Sequence, residues 1–110
     1  MVQSSFTVSL TIDYGDGAQK RFPKIAWPQG RKGTVAEVLA YAEKHERGIQ
    51  ITARGKGETR FLEAIDGLEN EGSGGKNWMF LVNGELGQSS YATTRVEPGA
   101  DVLWEFRTIQ

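Results

Sequence analysis

The sequence contains no cysteine and only one histidine, and both shortages limit the chemistry open to the chain. Without cysteine there are no disulfides, no thiolate metal ligands and no cysteine nucleophile. The one histidine, His45, lies near the end of a predicted helix, where an imidazolium interacts favourably with the terminal carbonyls. No catalytic pair is readable around it, and no carboxylate cluster has the spacing of metal ligands. We therefore predict no catalytic residues and no metal site.

An excess of one charge is also missing, since 13 lysines and arginines oppose 14 aspartates and glutamates, for a net charge of −1. Such a chain has no overall field that would attract nucleic acid or an anionic membrane. The first third is locally basic and the stretch 63–71 is locally acidic, and we interpret both as solvated surface charge. Because long apolar runs are absent as well, we predict no nucleic-acid partner and no membrane span.

A secretory leader is not recognisable, because the first residues hold no basic start followed by an apolar stretch. If Met1 is the native start, we predict a cytoplasmic protein; if the chain is a mature domain, we predict a secreted or cell-surface one. The 110 residues, 38% hydrophobic and 25% charged, predict one soluble globular domain over residues 1–110.

The first part of the chain predicts a β-hairpin. Apolar and polar residues alternate over residues 6–13, as in a half-buried strand, and residues 18–27 form the returning strand. Residues 13–17 have the aspartates and glycines of a turn. Pro23 cannot donate to a neighbouring strand, so the returning strand is predicted to lie at a sheet edge with a bulge at Pro23.

One helix follows, predicted over residues 35–47. Thr34 and Glu37 have the spacing of a capping box, apolar residues then recur at helical intervals, and Gly48 provides a stop.

Extended segments make up the second half of the chain, at residues 49–53, 60–65, 78–82 and 102–107. Asn83 and Gly84 form a pair that favours a tight hairpin turn, in which both residues take positive φ. The last segment is apolar at both alternating positions, which predicts a central strand covered on both sides and paired parallel with the first strand.

Two segments have only a superficial likeness to ligand loops. Residues 13–17 lack the twelve positions and the final glutamate of an EF-hand, and residues 72–77 lack the first glycine and the hydroxyl residue of a phosphate loop. For an enzyme, Glu63, Asp66 and Glu85 are the only carboxylates we would nominate.

Three stretches, the helix start, residues 76–85 and residues 96–106, give the chain a family resemblance. Over residues 34–107 it resembles the C-terminal β-grasp domain of transcobalamin-type vitamin B12 carriers, which also occurs in many bacterial proteins. The resemblance, together with the order of elements, implies an α+β fold of the β-grasp (ubiquitin-like) type. We expect a mixed sheet of four to five strands with one helix packed on one face.

In the B12 carriers this domain closes over cobalamin held against a separate helical domain. By resemblance, the binding rim is placed at Leu86, Gln88, Ser89 and Tyr91, with Trp78 and Phe80 behind it. On its residues alone, Tyr91 fits a packed loop tyrosine somewhat better than a ligand contact. No helical partner domain is recognisable in the chain, so tight binding of a cobalamin-type ligand by this domain alone is not expected.

The resulting functional prediction is a non-catalytic binding module that takes a small molecule or a protein through the loop after the hairpin at 78–85. The alternative is a ubiquitin-like protein-interaction module that uses the sheet face or the edge strand at 18–27. An enzyme is the third and weakest interpretation.

Overall fold

The computed structural model describes residues 6–27, 33–45 and 48–108. The regular elements are, in chain order, β1 (Phe6–Asp13), β2 (Gln19–Trp27), α1 (Val35–Lys44), β3 (Ile51–Arg54), β4 (Phe61–Ile65), β5 (Leu68–Glu69), β6 (Asn77–Val82), β7 (Glu85–Leu86) and β8 (Asp101–Arg107). A single 3-10 turn, Gly57–Thr59, precedes β4. Among the described residues, no helix has the length and hydropathy needed to span a membrane.

The larger sheet has five strands in the order β2-β1-β8-β6-β7. Strands β1 and β8 pair in parallel, with Ser9 opposite Asp101, and the other pairs are antiparallel. The predicted parallel pairing of the first and last strands in a mixed sheet is therefore confirmed. Both residues of the β6–β7 turn take positive φ, 53° at Asn83 and 84° at Gly84, as predicted for that pair.

Strand β2 lies at the edge of this sheet and carries the predicted bulge. The pairing passes from Val8 opposite Ile25 to Leu10 opposite Phe22, so that Pro23 and its neighbour lie opposite the single residue Ser9. The turn before β2 is stabilised by its aspartates, since Asp13 and Asp16 accept hydrogen bonds from backbone amides two residues further on.

Helix α1 begins as the sequence predicts, with the Thr34 hydroxyl accepting a hydrogen bond from the Glu37 amide at 3.3 Å. It ends earlier than predicted. His45 has extended backbone angles and acts as the C-cap, so the helix stops at Lys44. The rest of the predicted extension, residues 46 and 47, lies outside the described residues.

The core lies between the helix and the inward-facing sides of the strands. Its members are Val8, Leu10, Ile12, Phe22, Ile25, Val35, Val38, Leu39, Ala42, Ile49, Leu62, Ile65, Trp78, Phe80, Tyr91, Val96, Ala100, Val102, Trp104 and Phe106. Strand β8 is central, but the prediction that it is covered on both sides is wrong. Val102 and Trp104 are buried, whereas Leu103 between them is only half-buried, because the helix covers one face of the sheet and nothing among the described residues fully covers the other.

The segments predicted at 49–53 and 60–65 contribute to a second sheet, of three strands in the order β3-β4-β5. A tight turn of Asp66 and Gly67, with φ of 53° and 82°, joins β4 to β5. This grouping was not predicted, because the choice of a strand's neighbour is made by tertiary packing rather than by the local pattern. The described chain is thus a mixed α+β fold with a five-stranded mixed sheet, a small second sheet and one helix.

Candidate functional site

The loop after β7 is held against the rest of the molecule at several points. The Gly87 amide donates to the Phe80 carbonyl at 2.9 Å, and the Ala36 amide at the start of the helix donates to the Tyr91 carbonyl at 3.1 Å. Between these two points, the Ser90 hydroxyl donates to the Arg60 carbonyl at 2.7 Å. The loop is therefore fixed to β6, to the helix and to the residue that precedes β4.

A cleft of about 240 Å³ lies where this loop meets β4 and β6, and we call it the loop cleft. Its lining residues are Arg60, Phe61, Leu62, Trp78, Met79, Phe80, Leu86, Gly87, Ser89, Ser90, Tyr91 and Trp104. Most are apolar, and none carries a carboxylate or an imidazole. Phe61 and Leu86 are 51% and 47% exposed, which is unusual for large apolar side chains in this protein.

Aromatic rings pack behind the cleft around Trp104. The Trp104 ring lies 5.1 Å from that of Phe80 in a tilted arrangement, and 5.3 Å from that of Tyr91 with the two planes nearly perpendicular. These separations are typical of favourable aromatic pairs. The rings of Trp78 and Phe106 form a similar pair at 5.1 Å.

Two polar atoms in this cluster stand out. Tyr91 and Trp104 are only 4% and 3% exposed, yet neither Tyr91 Oη nor Trp104 Nε1 has a hydrogen-bond partner among the described residues. Trp78 offers a contrast, because its Nε1 donates to the Leu68 carbonyl at 2.7 Å. A buried polar group without a partner costs about 1–3 kcal/mol, so most such groups in folded proteins are satisfied. Both unsatisfied groups belong to residues that line the loop cleft.

The structure brings together five of the six residues predicted for the binding site. Trp78, Phe80, Leu86, Ser89 and Tyr91 all line the loop cleft. Gln88 does not; it lines a neighbouring surface depression.

Sequence reasoning missed Trp104, Phe61 and Gly87 as parts of this cleft. The sequence predicts Trp104 only as part of the last strand; its place opposite Phe80 follows from the strand register, and it also joins the core. For Phe61 the sequence does hold a signal. Phe61 and Glu63 lie on the same side of β4, and a charged residue on that side indicates that it is not the core side.

A separate polar cluster connects the first hairpin to the second sheet. The Asp66 carboxylate accepts hydrogen bonds from the Tyr14 hydroxyl, from Lys20 Nζ at 3.1 Å and from the Gln50 amide at 2.9 Å. Partial burial acts to raise the pKa of Asp66, but the hydrogen bonds from Tyr14, Gln50 and Lys20 outweigh it and lower the pKa below its ordinary value. Burial, followed by the contact with Asp66, raises the pKa of the Tyr14 hydroxyl.

The three carboxylates nominated for an enzyme do not meet. Asp66 is engaged in the polar cluster just described, Glu63 forms an ion pair with Arg54 at 3.2 Å, and Glu85 lies exposed in the β6–β7 hairpin. Within the described ranges, no group of three or more acidic or histidine side chains is placed to hold a metal ion.

Two solved structures show how this fold recurs. One is a candidate metal-binding protein from Ruminococcus gnavus ATCC 29149, with a TM-score of 0.69 and 18% identity over 96% of this chain and 99% of that chain. The other is haptocorrin in complex with Cbi, with a TM-score of 0.72 and 18% identity over 98% of this chain. The chain spans only 27% of the length of haptocorrin. At such low identity these similarities show the fold alone. No curated protein matches the chain.

The model of a family described as a domain of unknown function, DUF4430, matches residues 34–108. This range nearly coincides with the residues that carry the resemblance to the transcobalamin-type carriers. Together with the similarity to haptocorrin, a member of the transcobalamin family, the match confirms that resemblance. The chain belongs to the DUF4430 family.

Proposed function

We propose that this protein is a non-catalytic binding module that takes a small ligand, or one part of a larger ligand, in the loop cleft. The observation that carries the proposal is the pair of unsatisfied polar atoms, Tyr91 Oη and Trp104 Nε1, on buried residues that line a largely apolar cleft. Apolar walls with a few fixed polar groups are the usual composition of a ligand site. The absence of carboxylate and imidazole among the lining residues described above favours binding over catalysis.

Both polar atoms are covered in the described structure, so a ligand reaches them only when the surrounding side chains shift, and they then define its chemistry. An indole N–H is only a donor, so the ligand has to present an acceptor, such as an amide or carbonyl oxygen, to Trp104. The Tyr91 hydroxyl can donate or accept. We therefore infer a ligand with an acceptor at its buried end and an apolar, partly planar body that contacts Phe61 and Leu86 at the rim.

The size of the cleft limits how much of a ligand it holds. At about 240 Å³ it is smaller than the roughly 300–1,000 Å³ of common ligand pockets. Haptocorrin is described in complex with Cbi, and this chain corresponds to only about a quarter of that protein's length. If a cobalamin-type ligand is bound here, the domain contacts one side of it and contributes only part of the affinity.

The finer fold assignment belongs to the same proposal. Two N-terminal strands, a helix over one face and a last strand parallel to the first are the arrangement of a β-grasp, ubiquitin-like domain. We assign the chain to that fold as one domain over residues 1–110.

The indole N–H resonances of Trp78 and Trp104 offer a direct test by NMR. The probes are cobinamide, cobalamin and a panel of aromatic amide and ketone fragments, each titrated into ¹⁵N-labelled protein. We expect the Trp104 indole resonance to move on binding, because its N–H gains an acceptor. The Trp78 indole resonance should move much less, because the Leu68 carbonyl already holds its N–H.

The variant Tyr91→Phe serves as the matched control, since it removes one hydroxyl and keeps the ring. For any probe that moves the Trp104 resonance, the affinity for this variant should be about three- to tenfold lower, in keeping with about 1 kcal/mol for one hydrogen bond. If no probe moves the Trp104 resonance, or if Trp78 and Trp104 move equally, the cleft is a packing gap and the proposal is wrong.

A further inference from the structure

A second groove runs between the edge strand β2 and helix α1, and it shares no lining residue with the loop cleft. We call it the edge groove. It has a volume of about 480 Å³ and is lined by residues of β2 together with Tyr41 and His45 of the helix. Tyr41 is 44% exposed. Of the three large apolar side chains that are exposed in the described structure, two belong to the loop cleft and the third, Tyr41, belongs to this groove.

The edge strand beside this groove is positively charged, although the protein as a whole carries a net charge of −1. Lys20, Arg21 and Lys24 belong to the part of β2 that borders the groove, and among the described residues no carboxylate lines the groove. Arg21 precedes the buried Phe22 and lies opposite Thr11, so its side chain lies on the face of the sheet that the helix does not cover. Lys20 is already engaged by Asp66 and by the Gly48 carbonyl, so Arg21 and Lys24 supply most of the field toward a partner. The guanidinium of Arg21 donates to the neutral amide oxygen of Gln19, and no carboxylate among the described residues pairs with it.

Strand β2 has β1 on one side, and among the described residues no strand pairs with it on the other side. The Tyr14 amide donates to the Ala18 carbonyl, which makes those two residues a hydrogen-bonded pair. Hydrogen-bonded and non-bonded pairs alternate along an antiparallel ladder, so the backbone groups of Arg21, which is opposite Thr11, are directed away from β1. The same residue therefore presents a free backbone edge and a positive side chain.

We infer that the open edge of β2, beside the edge groove, binds an extended, acidic segment of a partner protein, which adds to β2 as a sixth strand. Main-chain hydrogen bonds to an open edge supply affinity in this mode of recognition, and side chains supply selectivity. Lysine and proline on an edge strand normally protect it against uncontrolled pairing. Here the same charges select among partner strands, because an acidic strand neutralises Arg21 and Lys24 whereas a neutral or basic strand does not.

A peptide pair tests the inference on the full chain. The probe is acetyl-(Val-Glu)₄-amide and its matched control is acetyl-(Val-Lys)₄-amide, each titrated into ¹⁵N-labelled protein at low and at physiological salt. We expect the glutamate peptide to shift the amide resonances of Arg21 and its neighbours in β2, and the shifts to be smaller at higher salt. The lysine peptide should shift none of these resonances.

Charge-reversal variants sharpen the result. Arg21→Glu combined with Lys24→Glu should lower the affinity for the glutamate peptide by about tenfold or more. Lys56→Glu, which lies in the turn before β4, should leave that affinity unchanged. Circular dichroism establishes that each variant is folded. Poly-glutamate without the valines is the last control. The inference is overturned if poly-glutamate binds equally well, if the shifts fall on the loop cleft, or if the double variant binds like the original protein.

Discussion

Gly87 lies directly against the ring of Phe80, so close that a Cβ at position 87 would come within 2.2 Å of Phe80 Cζ. The Gly87 amide also donates to the Phe80 carbonyl at 2.9 Å. Side chain and backbone of Phe80 thus both meet the same glycine, and this contact sets the distance between the loop and β6. Glycine is required at position 87 because a side chain would collide with the Phe80 ring, and not because the backbone there takes an unusual angle.

Gly87→Ala should therefore displace the Phe80 ring and lower the free energy of unfolding by about 1–3 kcal/mol, the usual cost of overpacking. Chemical denaturation measures the loss, and any probe found for the loop cleft should bind the variant less tightly. Gln88→Ala is the control, because Gln88 is exposed and outside the cleft; its effect should stay below about 0.5 kcal/mol. Equal stability of Gly87→Ala and the original protein would contradict the close packing.

Tyr91 combines a buried ring with an unsatisfied hydroxyl, and two substitutions separate these properties. Tyr91→Ala should cost about 3–5 kcal/mol, because the ring packs against Trp104 in the core. Tyr91→Phe should change the free energy of unfolding by less than about 0.5 kcal/mol or raise it, because it removes a buried polar group that has no partner in the described structure. Urea denaturation of both variants is sufficient. A loss of more than about 1 kcal/mol for Tyr91→Phe would show that the hydroxyl is hydrogen-bonded in the free protein.

Neighbouring residues of β8 test the finding that this strand is buried on one side. Trp104→Ala should unfold the domain or destabilise it by about 3–5 kcal/mol. Leu103→Ala, in the same strand but half-buried, should cost less than half as much. Thermal and urea unfolding give both values. Similar losses at the two positions would mean that the other face of the sheet is covered as well.

Asp66→Asn should lower the free energy of unfolding at pH 7 by about 1 kcal/mol, because it replaces a partly exposed carboxylate that accepts three hydrogen bonds. Asp16→Asn is the matched control, since its turn contact to the Ala18 amide can be kept by an asparagine oxygen. Its effect should be near zero.

The same variant has a predicted pH dependence. The pKa of Asp66 is lowered in the folded protein, so the carboxylate binds its proton less readily when folded than when unfolded. Its contribution is therefore complete above the ordinary value of 3.8 and is lost as the pH falls through the lower folded value. The difference in unfolding free energy between Asp66→Asn and the original protein should shrink as the pH is lowered below about 4. A difference that stays constant down to pH 2 would exclude Asp66 as its source.

The sequence predicted those elements whose signals are local. The Thr34 cap, the alternation of β1, the bulge at Pro23 and the Asn83–Gly84 turn each depend on a few neighbouring residues, and all are present. The helix end was misplaced because His45 leaves the helix three residues before Gly48, where no local residue requires a stop.

The candidate site was predictable only in part, and mainly through the family resemblance. Leu86 and Tyr91 follow from it, but the other wall of the loop cleft is built where Ser90 meets Arg60, 30 residues away in sequence. A contact of this kind leaves no periodic signal, so Phe61 and Trp104 remained hidden until the strands were placed. Gln88 also follows from the resemblance, but it lines a neighbouring depression and not the cleft.

The parallel pairing of β1 with β8 has a consequence for how the protein is made. Ser9 and Asp101 are hydrogen-bonded neighbours although 92 positions separate them. Because β8 lies between β1 and β6, a growing chain that has not yet reached residue 101 holds two hairpins with no strand to join them. Folding of this sheet is then delayed until β8 has been synthesised, and closure of such a long-range contact slows it further. Until β8 emerges, the edges of β1 and β6 that it pairs with have no partner strand, which makes this interval the period of greatest risk of aggregation.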